Sequence, residues 1–161
     1  MELKKVLLSR KSCRAYLDKA VETEKLEQVI TAASLAPLGL PRMCTPMLTL
    51  VTDKNILRQL NGTYDAPALI IVSCPPAPAP GIDHQNAACV VEMMSLMATD
   101  LGLGNIYLYG VTAALGQNPQ LKAQLGIPEN FTPLAALAVG YGVEEVAECK
   151  EFVQKLEAKR F

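Results

Sequence analysis

The chain has 161 residues, half of them hydrophobic, with a formal net charge of −1 and no tryptophan. One substantial core is affordable at that length, so a single domain over residues 1–161 is expected and disorder is not. Near-neutral charge leaves no basic footprint for nucleic acid. No apolar run has the length of a membrane span, which makes the cytosol the default address.

The first ten residues read as a short helix before an extended stretch. A helix follows in which Leu26, Val29, Ile30 and Ala33 share one apolar stripe, with Thr23 as its expected cap and Pro37 as its stop. Residues 47–52 read as a strand, and Asp53 caps a short helix that ends near Asn61-Gly62. The continuous apolar run 68–72 predicts a strand buried on both faces. The proline-rich stretch 75–81 can be neither helix nor central strand and is expected as a stiff loop. The longest helix is predicted over 83–101, apolar on most sides, with Glu92, Ser95 and Thr99 as its narrow polar face. A short strand over 105–109 places Tyr107 and Tyr109 on one side. Asn118-Pro119 opens another helix that Gly126 closes, 133–139 is an apolar strand, and 144–159 a mixed-charge terminal helix. Strands and helices do not alternate strictly, so an α+β layered sheet is expected rather than a doubly wound fold.

The chemistry-bearing residues are few. Cys13, Cys44, Cys74, Cys89 and Cys149 form no C-x-x-C, and His84 is the only histidine. A disulfide scaffold and a zinc site are both disfavoured, and reduced, packed thiols are expected. There is no dinucleotide or P-loop glycine motif and no nucleophile elbow. One cluster stands out: Arg10, Lys11, Ser12 and Arg14 place three cations and a hydroxyl within five residues, the donor set of a phosphate site, although such a cluster taken alone is more often a solvated face. A chain with no obvious acid–base group but with a candidate phosphate clamp and apolar walls suits a bound redox cofactor, which carries its own reactivity.

These residues resemble a known family. Arg10-Lys11-Ser12-Cys13-Arg14 is similar to the R-x-S-x-R opening of the nitroreductase family, and Ala33-Ser34-Leu35-Ala36-Pro37 to its A-x-x-A-P segment. Tyr64-Asp65-Ala66-Pro67 before the 68–72 strand, Leu101-Gly102-Leu103-Gly104 after the long helix, Leu125-Gly126-Ile127-Pro128 and Gly140-Tyr141-Gly142 follow in family order. The resemblance implies an α+β layered fold with a mostly antiparallel or mixed central sheet flanked by helices. It also implies an interlocked homodimer with FMN at the subunit interface, NADH or NADPH as reductant and a small electron-poor molecule as acceptor. By the same analogy Arg10, Ser12 and Arg14 hold the FMN phosphate and ribityl chain with Lys11 nearby, and Lys150 is the late basic residue that returns to the phosphate. Pro37, Leu38 and Gly39 reach the flavin from the partner subunit, and Tyr109, Gly110 and Val111 present backbone N–H groups to the ring. The chain departs from the family in residues 38–46, which are longer than usual and lack its Asn and Gln. That departure keeps two other readings in view, an FMN-binding storage or sensing protein and a dimeric relative without cofactor.

Overall fold

The computed structural model describes residues 2–144 together with 156, 157 and 159. Most of the terminal helix expected over 144–159, and Lys150 with it, lies outside these described residues. In chain order the elements are α1 (Leu3–Ser9), α2 (Thr23–Ala33), β1 (Met47–Val51), α3 (Lys54–Leu57), β2 (Ala68–Cys74), α4 (Ile82–Asp100), β3 (Gly104–Leu108), α5 (Gly110–Gly116), α6 (Pro119–Gln124) and β4 (Thr132–Gly140). The strands form one sheet in the order β1-β2-β4-β3, every neighbouring pair antiparallel. This is the α+β layered sheet the sequence predicts.

The two central strands, β2 and β4, explain the architecture. Both are continuous apolar runs because both of their faces are covered. Ile70, Val72, Leu137 and Val139 pack on one side with Val29 of α2 and Val91 and Met94 of α4. Leu69, Ile71, Ala136 and Ala138 pack on the other with Leu57, Val111, Leu115 and Leu121 of α3, α5 and α6. The β2–β4 register slips between Val72 and Ser73, where Ser73 faces Pro133. Proline brings no N–H to the ladder, and a bulge absorbs the missing bond.

Three local expectations are corrected. Thr23 is the first residue of α2 rather than its cap, and Glu22 occupies the cap position without a side-chain bond. Tyr109 has left the strand and stands at the N-cap of α5, a helix the sequence reading had not resolved. Ser95 and Thr99, expected on a polar helix face, are buried against β3. Asp53 and Asn118 do cap their helices as expected, accepting from the N–H groups of Asn55 and Ile56 and of Leu121.

Candidate functional site

The basic segment 10–14 is fixed by its backbone. Arg10 caps the end of α1, its N–H donating to the Val6 carbonyl at 2.9 Å. Ser12 then forms a parallel bridge to Asn105, and the Cys13 N–H donates to the Asn105 carbonyl at 2.9 Å. The approach is close: a Cβ at Gly104 would stand 2.7 Å from Cys13 Sγ, so only glycine lets the segment lie against the start of β3. Tyr16 secures the far side, its phenol directed at the carbonyls of Cys13 (3.2 Å) and Ala138 (3.4 Å). Burial, reinforced by the neighbouring Cys13, pushes that phenol well above its ordinary ionisation range.

Because the backbone does the anchoring, the side chains remain available. Ser12 and Arg14 are exposed and Arg10 is half-buried. Neither arginine has an ion pair among the described residues. Lys11 differs, since its Nζ lies 2.9 Å from Glu144 Oε2 and its charge is already answered. Of the four residues in this cluster, Arg10, Ser12 and Arg14 are thus the ones without an ion pair among the described residues.

β3 is an edge strand, and among the described residues only Ser12 bridges its outer side. From Asn105 to Tyr109 the strand advances four residues, about 13 Å. At its end stand Tyr109, exposed, and Gly110 and Val111, the first two residues of α5, whose N–H groups have no partner within the helix. Along β3, then, the cationic segment stands at one end and the backbone N–H groups that open α5 at the other.

Pro37, Leu38 and Gly39 are placed elsewhere. They open a loop, 37–46, that leads into β1 and sits at the end of β2 marked by Cys74. Segment 10–14 sits by Asn105, which pairs with Val139 and hence with the opposite end of β2. Most of β2, about 20 Å, and the width of the sheet separate the two within one chain. The structure thus brings Arg10, Ser12 and Arg14 into line with Tyr109, Gly110 and Val111 along β3, and leaves Pro37, Leu38 and Gly39 apart from both.

Two features were not foreseen. The first is a buried polar knot behind the basic segment. Ser95 Oγ donates to Asn105 Oδ1 at 2.7 Å, and Asn105 Nδ2 donates to Thr99 Oγ1 at 3.0 Å and the Ser95 carbonyl at 3.2 Å. It locks β3 to α4 and so places the carbonyl that holds Cys13. The second is a cleft of about 570 Å³ bordered by Tyr16, Arg58, Asn61, Tyr64 and Asp65. Tyr64 and Asp65 both adopt positive φ, 57° and 56°, a strained pair held where the chain turns into β2. Gly62, at a positive φ of 89°, lies in this turn beside Val111 of α5. Asn61, expected mainly as a turn residue, therefore lines a cleft next to the start of α5.

Comparison with known proteins identifies the family and the fold. The model of the nitroreductase family matches residues 7–62 and 55–141. A nitroreductase of Bacteroides fragilis, solved with bound FMN, superposes with a TM-score of 0.85 at 26% identity, covering 100% of this chain and 98% of that one. A nitroreductase family protein of Clostridium difficile gives a TM-score of 0.73 at 28% identity over 89% of this chain and 86% of that one. A curated protein of Archaeoglobus fulgidus, provisionally named NADH dehydrogenase/NAD(P)H nitroreductase, is 27% identical over 154 residues, 89% of this chain and 87% of its own. No helix among the described residues is long and apolar enough to cross a membrane, and no group of three or more His, Cys, Asp or Glu residues there could hold a metal. With matched segments running from α1 to the end of β4, the chain belongs to the nitroreductase family.

Proposed function

We propose that this chain is an FMN-dependent oxidoreductase that works as a homodimer, taking electrons from NADH or NADPH and passing them to electron-poor small molecules such as nitro-aromatics or quinones. The observation that carries the reading is the pair of arginines flanking Ser12, without ion pairs among the described residues, at one end of β3, with the backbone donors of Gly110 and Val111 at its other end. A phosphate monoester suits that set, because guanidinium groups bind phosphate oxygens through charge-assisted bonds. Bound FMN would supply the redox chemistry, hydride entering from reduced nicotinamide and electrons leaving to the acceptor. Arg10, Ser12 and Arg14 would hold its phosphate end. The amides at the start of α5 would face the ring and favour the negative charge that reduction brings.

A homodimer accommodates the placement of the loop: Pro37, Leu38 and Gly39 lie across the sheet and toward the opposite end of β2 from segment 10–14, so the loop would serve the site of a second copy. The FMN-bound relative and the NAD(P)H-named relative support cofactor and reductant. Anaerobic addition of NADH or NADPH to the FMN-loaded protein should bleach the visible flavin band, and a nitro-aromatic or quinone should restore it. Flavin that stays oxidised with both nicotinamides would leave a binding protein and remove the enzyme.

A further inference from the structure

Residues 38–46 lack the Asn and Gln that the family resemblance leads one to expect, and a side chain from outside the loop ties them down. Asn86, on the first turns of α4 and only 2% exposed, spends its whole amide on this loop. Its Oδ1 accepts from the Gly39 N–H at 2.8 Å, and its Nδ2 donates to the carbonyls of Gly39 (2.9 Å) and Cys44 (3.1 Å). One acceptor and two donors are thereby matched, and the loop is tied at both ends of its turn. A side chain at Gly39 would crowd this seat, since its Cβ would lie 3.2 Å from Ile82 Cδ1.

Between the ties the loop closes on itself. The N–H groups of Met43 and Cys44 both donate to the Leu40 carbonyl, and the Thr45 hydroxyl donates to the Pro41 carbonyl. Leu40 takes a left-handed φ of 48°, a conformation that leucine keeps only when its surroundings impose it. With several backbone polar groups turned inward, the tip shows Leu40 (46% exposed) and Met43 (62% exposed) outward.

From this geometry we infer that Asn86 is a positioning residue of the flavin site: it fixes a rigid apolar tip, Leu40 and Met43, against the flavin bound by a second copy of the chain. The inference rests on the FMN homodimer proposed above. The tip contributes apolar cover in place of hydrogen bonds, and its effect depends on being held still, because an ordered loop contributes to binding what a loose one loses in ordering entropy.

The test is a double-mutant cycle read by FMN titration of the purified protein. Wild type, Asn86→Ala, the tip variant Leu40→Ala/Met43→Ala and the triple combination are compared, with circular dichroism confirming the fold of each. Asn86→Ala and the tip variant should each weaken FMN binding about tenfold, the scale of one or two lost interactions. The triple variant should bind no more weakly than the tip variant alone, because Asn86 acts through the tip. Independent, multiplying effects would mean that Asn86 only supports the fold and would overturn the inference. Wild-type affinity in the tip variant, whose side chains are exposed and whose folding is not at stake, would overturn it without reference to Asn86. Should Asn86→Ala not fold, Asn86→Ser completes the same cycle. Absence of FMN binding by the wild type would instead remove the functional reading beneath the inference, a failure visible before any variant is made.

Discussion

Segment 10–14 and loop 38–46 are held in opposite ways. The basic segment is anchored by its main chain, through the Cys13 N–H and the Ser12 bridge to Asn105, and its polar side chains face outward. The loop is anchored by a side chain from outside, Asn86, which consumes backbone groups at both ends of the turn and leaves apolar side chains facing outward. The first arrangement offers charge and hydrogen bonds to a ligand. The second offers surface and rigidity. A site needing both a phosphate clamp and a dry ring cover would draw one from each, and the proposed homodimer would bring the two together.

Several experiments would break or sharpen that contrast. The largest effect is expected behind the basic segment: Asn105→Leu orphans the Ser95 hydroxyl and dismantles the buried knot, costing about 3 kcal/mol in urea unfolding. A stability loss under about 1 kcal/mol would show that the knot is not what holds β3 to α4. Next comes Arg14→Ala, which should weaken FMN binding by about 2 kcal/mol, the worth of a charge-assisted bond, and change stability by less than about 0.5 kcal/mol because the side chain is exposed. Equal losses in both measurements would mean that the arginine is structural. Gly39→Ala should cost about 1 kcal/mol of stability as Ile82 gives way to the added methyl group, and tolerance without loss would loosen the picture of a tightly seated loop.

The smallest effect, absent near neutrality, comes with alkaline pH. Burial pushes the Cys74 thiol up to about 12 and raises the Tyr16 phenol as well, so the fold keeps protons that the unfolded chain releases near pH 9 and 10. Their contribution is fully present below pH 9 and is lost as pH rises toward 12, since the native state then binds more protons than the unfolded one. Urea midpoints measured against pH should fall above pH 9, and Tyr16→Phe should shallow the decline above pH 10. An unchanged slope would argue that the phenol under segment 10–14 is not shielded from water.

Much of the fold was legible because it rests on local patterns. The double burial of β2 shows in an unbroken apolar run, and the caps at Asp53 and Asn118 show in residue type alone. The basic cluster was legible as a motif, although the Lys11–Glu144 pair, 133 positions apart, was not. Asn86 and Asn105 were missed for the same reason. Each is an asparagine whose partners lie outside its own element, and spacing carries no trace of such partners until the chain is folded. A buried asparagine must be satisfied by something, which is the one signal available beforehand. Tyr109 was misread as strand because it alternates with Tyr107 as a strand does, while the glycine after it starts a helix.

The central claim is that segment 10–14 binds a flavin by its phosphate, and titration of the purified protein with FMN and with riboflavin tests it most directly. The account predicts tight FMN binding, much weaker riboflavin binding, and loss of that preference in Arg14→Ala. Equal affinity for the two flavins in the wild type, or binding of neither, would contradict it.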